Sequence, residues 1–218
     1  MSSDFPRSPK ILKGALVVFE TAAPVPTNLI VFQYNPDQVT RNFQRAAPRD
    51  PQQGAGDTRN VQPPVESYQM VVELDAADQL ESKDPLAVTV GLHPTLAALE
   101  LLIYPPSTQL ILSRALSLAG TALVSPASAP LVLLVWGPVR VLPVFVTTVS
   151  IVEQAFDTLL NPIRARVSLS LRVLTEQELR RAGPPFETLG LVNQIAKEVL
   201  ARSNIFSSAQ QIGTSLSF

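Results

Sequence analysis

Residues 164–173 read Arg-Ala-Arg-Val-Ser-Leu-Ser-Leu-Arg-Val, and this alternation constrains the fold more than any other stretch of the chain. Odd positions are apolar and even positions are Arg or Ser. A period of two predicts a strand with one buried and one wet face. Upstream, Val139, Val141, Phe145, Val149 and Ile151 fall in the same phase, so 139–175 reads as one antiparallel hairpin. At ~3.3 Å per residue each arm runs well beyond the usual ~5–6-residue strand. Strands of that length bend across a barrel corner or pair with a neighbouring subunit. Pro143 cannot donate to a ladder, which predicts a bulge or an edge there. The connection Phe156-Asp157-Thr158-Leu159-Leu160-Asn161-Pro162 is turn chemistry, with Asp and Asn capping backbone groups.

Other segments extend the pattern. Residues 9–20 predict a first strand, closed by Pro24 and Pro26. Residues 29–34 predict a second, followed by the turn signature Asn35-Pro36-Asp37. Val39–Phe43 is extended again, and 46–64 is a polar loop with almost nothing to bury. From Glu66 to Ala76, Tyr68, Met70, Val72 and Leu74 share one face of a strand. Residues 94–104 predict a helix, with Leu96, Leu99 and Leu102 or Ile103 on one side and Pro105-Pro106 as its stop. A short helix with Leu110, Ile111, Ala115, Leu118 and Ala122 on one face follows, then a fully apolar strand, Leu131–Trp136. Thr175 and Glu178 have capping-box spacing, and Gly183-Pro184 ends the short helix they start. Residues 189–202 predict an amphipathic helix, and the last dozen residues a Ser/Gln-rich tail.

Strands do not alternate with helices, so the pattern points to a mainly β fold. We expect an antiparallel split barrel or sandwich with one packed helix and a C-terminal amphipathic helix. The domain reading is a β domain over 9–183, with a loop at 46–65 and an apolar insertion at 105–130, followed by the C-terminal helix and tail at 184–218.

Several function classes fare poorly. The net charge of −1 offers no basic grip on nucleic acid. With no Cys, disulfides, thiol chemistry and Cys-ligated zinc are excluded. The N-terminal residues Met1–Arg7 lack the apolar region of a secretory signal. The uncharged run Ala115–Val139 has the length of a membrane span, but Pro126, Pro130 and several Ser residues argue against one.

Catalysis has little to work with. His93 is the only histidine and sits at a helix start, where capping is the plainer role. Gly54-Ala55-Gly56 lies in a polar loop rather than between a strand and a helix, so it is no phosphate loop. Glu73, Asp75, Asp78 and Glu81 read as a solvated rim rather than a metal site. We therefore expect no catalytic, metal or cofactor site. Arg164, Arg166 and Arg172 share the polar face of the main strand, either solvated or facing an acidic partner. Trp136 reads as a core aromatic beside a Gly turn.

Five stretches resemble the N-terminal domain of tube-type baseplate proteins of contractile injection systems, relatives of contractile phage tails. They are 32–37 (Phe-Gln-Tyr-Asn-Pro-Asp), 73–76 (Glu-Leu-Asp-Ala), the helix at 96–104, 133–137 (Leu-Leu-Val-Trp-Gly), and the hairpin tip from Ala155 to Ala165. Their order and spacing match over roughly residues 10–175, and the hairpin is the most specific part. The resemblance implies a tube-protein fold. It also implies a hexameric ring whose long hairpins join into a barrel lining a channel, placed between a spike hub and a polymerising inner tube. Such particles assemble in the cytoplasm. Many family members continue into a LysM module. Here an amphipathic helix and tail stand instead, so a glycan-binding role does not carry over.

On this reading the ring-closure residues are Phe145, Val149, Ile151, Arg164, Arg166, Val167, Leu169, Leu171 and Arg172. Contacts between layers would come from the loop 46–65 and from Val192, Ile195 and Val199 of the last helix. The partners would be further copies of the chain, the inner tube protein, the spike hub and other baseplate proteins. The alternative is a monomeric β-sandwich that binds a glycan or peptide through its loops. A membrane-anchored accessory factor using 115–139 is a third class.

Overall fold

The computed structural model describes residues 12–19, 25–45, 64–118, 129–184 and 186–215. Seven strands form one antiparallel sheet: β1 (Ala15–Phe19), β2 (Pro26–Val31), β3 (Val39–Gln44), β4 (Val65–Asp75), β5 (Leu131–Val135), β6 (Val141–Phe156) and β7 (Pro162–Val173). Their order across the sheet is β2-β1-β5-β6-β7-β4-β3. The fold is mainly β and antiparallel, as expected; of the split barrel or sandwich, the structure shows one seven-stranded sheet, not closed into a barrel, with β2 and β3 at its edges. Residues 46–63 of the polar loop and Pro24, one of the two prolines expected to close the first strand, lie outside the described residues, as does Ala122.

The sheet folds over a single main core. Leu16, Ile30, Tyr68, Val72, Leu134, Val144, Leu169 and Leu171 come from six of the seven strands and bury together with Phe32, Leu96, Leu99 and Leu102. Burying such side chains is worth about 1.5–3 kcal/mol each. A smaller cluster joins Phe19 and Leu131 to Leu179 and Phe186, whose rings and side chains dock the C-terminal region on β1 and β5.

β7 and β4 form as the alternation predicts. In β7, Ala165, Val167, Leu169 and Leu171 are buried, and in β4 Tyr68, Met70, Val72 and Leu74 are. β6 differs from expectation. Leu142, Pro143, Val144 and Val146 are its buried residues, whereas Phe145, and Val139 just before the strand, are exposed. The register explains this: Val146 pairs with Leu171 and Thr148 with Ser170, so Thr147 is an extra residue. That bulge shifts the inward phase from even to odd positions, and only beyond it do Val149 and Ile151 pack against the core. Pro143 is likewise not at an edge or bulge. It lies within β6 opposite Leu133, and its carbonyl accepts from the Leu174 N–H at 2.9 Å.

Strand limits also move. β2 begins at Pro26, which opens this strand rather than closing the one before, and stops at Val31 because Ala15 is the last partner on β1. Phe32 still donates to the Gly14 carbonyl at 2.8 Å. Gly14 is required by closeness: a Cβ there would lie 2.7 Å from the Trp136 ring and 2.8 Å from Phe32. Trp136 is half-buried against the core, tilted on Phe32.

Two short helices occupy the polar stretch after β4. α1 (Ala77–Glu81) follows Asp75, whose Oδ1 accepts from the Ala77 N–H. α2 (Pro85–Val90) is capped by Asp84, which accepts from Leu86 and Ala87, with Pro85 in its first turn. α3 (His93–Glu100) buries Leu96 and Leu99 and gives way to turns before Tyr104. Its N-cap is Leu92 and no side chain caps it, so His93 is not the cap. α4 (Ser107–Leu118) buries none of its residues. α5 (Glu176–Ala182) has the full capping box of Thr175 and Glu178. A 3-10 turn, Phe186–Thr188, leads into α6 (Leu189–Ser215), which continues through the region expected to be a tail.

Candidate interaction surfaces

The long arms of β6 and β7, 16 and 12 residues, carry the hairpin well past the ordinary strand length. Val167, Leu169 and Leu171 are 0–1% exposed. They act through register and core packing, not through direct surface contact. Val149 and Ile151 are half-buried beside them. Phe145 is turned outward, with the Arg172 guanidinium 5.7 Å from its ring centre.

The three arginines of the wet face each meet an acid of the same chain. Arg164 donates through Nε and Nη2 to Asp75 Oδ2 at 2.9 and 2.7 Å. Arg166 reaches Glu73 at 2.7 Å. Arg172 grips both oxygens of Glu178, at 2.9 and 2.8 Å. The bidentate pair is the strong one. Arg172 and the Thr175 hydroxyl and N–H hold the Glu178 carboxyl down at about 2, against the opposing push of burial. The Asp75 carboxyl is also lowered, first by the Ala77 N–H and then by Arg164. β7 is thereby tied to β4 and to α5, and Glu73 and Asp75 of the acidic rim are two of these partners. Among the described residues no group of three or more His, Asp or Glu side chains could hold a metal ion.

One charged site escaped sequence reading. Glu66, at the start of β4, is buried, and its carboxylate is met by Arg41 from β3, Lys197 from α6 and the Tyr68 hydroxyl. Burial pushes this carboxyl up, but Lys197, Tyr68 and Arg41 together hold it below its ordinary value. Tyr68, buried beside that carboxylate, is pushed up to about 12. Lys197 fastens α6 to the sheet with Asn193 and Ala196 on the inner side, above a small cleft that reaches Trp136 and Arg140. Val192, Ile195 and Val199 are 57%, 50% and 58% exposed on the helix so fastened. No local pattern marked this site, since Glu66 and Lys197 are 131 residues apart.

The hairpin tip is closed by a set of hydrogen bonds. Asp157 Oδ1 accepts from the N–H groups of Leu159 and Asn161, both at 2.8 Å, and Oδ2 from the Asn161 side-chain amide at 2.8 Å. Asn161, before all else, keeps the Asp157 carboxyl below its usual value. The same amide reaches the Thr89 carbonyl, and the Leu92 N–H donates to the Pro162 carbonyl at 3.0 Å. Gly91, at φ 57°, lets Pro162 approach: a Cβ would stand 2.6 Å from its carbonyl oxygen. Leu159 and Leu160 project from this scaffold, 74% and 77% exposed.

Two clefts flank these features. A polar groove of about 610 Å³ runs over the wet face of β4 and β7, walled by Tyr34, Asp37, Gln69, Glu73, Arg166 and Ser168. An uncharged cleft of about 280 Å³ opens where α3 and α4 meet the β1–β2 hairpin. No helix among the described residues is long and apolar enough to cross a membrane.

No protein-family model matches the chain, and no curated protein matches it in sequence.

Proposed function

We propose that the protein is a structural baseplate component of a contractile injection system, a tube initiator or adaptor between spike hub and inner tube that works as a hexameric ring. The observation that carries this reading is the β6–β7 hairpin. It is long, has one buried and one wet face, carries a bulge at Thr147, and is tied through three arginine–carboxylate pairs to β4 and α5. The open sheet edges β2 and β3 add to it, because an unpaired edge invites a further strand. On this reading the curled sheet is the split barrel of a tube-type domain, and the hairpins of neighbouring copies join around a channel. Phe145, Arg164, Arg166 and Arg172 face that junction, and Val192, Ile195 and Val199 offer an apolar strip to the adjoining layer. The role is templating and needs no enzyme site or cofactor. Assembly takes place in the cytoplasm, as part of a phage-tail-like particle.

The test is nucleation. Purified inner tube protein is followed by negative-stain microscopy with and without this chain. Tubes that begin on rings of this protein, at a shortened lag, support the reading. Tube growth indifferent to its addition would favour a monomeric binding module.

A further inference from the structure

The cleft beside α6 carries more positive charge than the fold neutralises. It holds about 250 Å³ and is lined by Arg41 from β3, Arg140 from the turn between β5 and β6, and Lys197 from α6, with no acid in its lining. Glu66 is the carboxylate that Arg41 and Lys197 meet. One negative charge thus serves two of three cations. Arg140 pairs with no acid among the described residues. It is nevertheless half-buried. Burial and Glu66 push the Tyr68 hydroxyl up, and Arg41 and Arg140 pull it back, so the Arg140 charge is felt inside this cluster. A half-buried cation without a counter-charge costs the fold free energy.

The cations are held in place. The Trp136 N–H donates to the Arg140 carbonyl at 2.8 Å, and Gly137 at φ 76° makes the bend between them. That turn puts Trp136 and Arg140 on the same cleft. The Arg41 guanidinium lies 5.1 Å from the Phe43 ring centre and 5.4 Å from that of Tyr68, and the Lys197 ammonium 5.8 Å from Phe43. Trp136, Leu142 and Leu200 give the cleft an apolar wall, and Asn193 adds an amide. The volume falls below the ~300–1,000 Å³ of a site for a drug-sized ligand, so the occupant is small.

We propose that this cleft binds a small organic carboxylate, with the carboxylate on Arg140 and the apolar stem against Trp136 and Leu200. A guanidinium presents paired N–H donors that match the two oxygens of a carboxylate. The apolar wall has nothing to offer a bare inorganic anion, and the surplus charge rejects an amine. None of the cleft residues is among those assigned to ring closure or to the adjoining layer, so the inference goes beyond the baseplate reading and does not depend on it.

Trp136 is the only tryptophan and reports the cleft directly. The full chain is titrated with hexanoate at constant ionic strength, with hexylamine and inorganic phosphate as controls. Hexanoate is expected to change the Trp136 fluorescence saturably and to raise the thermal midpoint with its concentration, as a ligand of the folded state does. The two controls should do neither at the same concentrations. Arg140→Gln should weaken hexanoate binding at least tenfold while its own thermal midpoint equals or exceeds that of the parent, because an unpaired cation has been removed. No saturable response of the parent overturns the inference without any variant. An equal response to hexylamine would mean apolar contact alone, and an equal response to phosphate an unselective anion site; either overturns it. So does an Arg140→Gln variant that binds hexanoate as the parent does, or that melts lower with its hexanoate response intact.

Discussion

Gln33 and Asp75 are 42 residues apart, yet the Gln33 side-chain amide donates to the Asp75 carbonyl at 2.6 Å and accepts from the Asp75 N–H at 2.9 Å. The pair imitates a rung of a ladder between the end of β2, at one edge of the sheet, and the end of β4, next to the other. It draws the two sides of an open sheet toward each other where no strand pairing does so. Gln33→Ala should cost about 1–3 kcal/mol, since it leaves part-buried backbone groups without partners. Gln33→Glu should be no better, because a carboxylate cannot donate to the Asp75 carbonyl. Urea denaturation of both variants checks this. A Gln33→Ala variant as stable as the parent would mean the edges are held by packing alone.

Close approach at Gly14 makes a sharper prediction. The rings of Trp136 and Phe32 stand where a Cβ would go, and both belong to the core. Gly14→Ala should destabilise the fold by about 1–3 kcal/mol through overpacking. The single tryptophan reports locally: its fluorescence maximum should shift in the folded variant as its ring moves.

The Arg172–Glu178 grip gives a pH dependence. The Glu178 carboxyl titrates near 4.5 when free and is lowered to about 2 in the fold. A depressed carboxyl stabilises the folded state above pH 4.5, and that contribution fades as pH falls toward 2. The Glu178 side chain is partly exposed, so solvent screening limits the effect to about 1 kcal/mol. Glu178→Gln should lower stability at pH 7 and flatten the stability profile between pH 5 and about 2. Thermal unfolding across that range measures it, and equal slopes for parent and variant would contradict the assignment.

Leu169 lies 1% exposed in the middle of β7, opposite Val149 and Met70. Leu169→Asp places an unpaired carboxylate in the core and should cost more than about 4 kcal/mol, enough to abolish soluble folded protein. Ser168→Asp, one residue away on the wet face, should be tolerated within about 0.5 kcal/mol. If Ser168→Asp failed to fold and Leu169→Asp did not, the inward phase of β7 would be the reverse of that described.

Legibility in the sequence followed the range of the interactions. β7 and β4 were readable because a period of two runs through them without interruption. β6 was misread at Phe145 because the extra residue at Thr147 changes phase midway, and a bulge leaves no mark in a pattern of apolar residues. α1 and α2 were missed because five or six residues hold too few periods to register, although Asp84-Pro85 is a cap and first turn in plain view. The three arginines were found, but not their partners. Asp75 and Glu73 lie 89 and 93 residues before them, and only the pairing of β4 with β7 brings them together. Glu66 and Lys197, 131 residues apart, are the extreme case. The capping box at Thr175 was legible because its partners are three residues apart. What the sequence did not carry was that Glu178 also serves Arg172.

The mass of the purified full chain by multi-angle light scattering, over a range of concentrations and then with the inner tube protein, bears most directly on the ring. A hexameric mass, alone or on addition of tube protein, is what a tube initiator of this build requires. A single-chain mass throughout, unchanged by the tube protein, would contradict the ring and leave the long hairpin a feature of the fold alone.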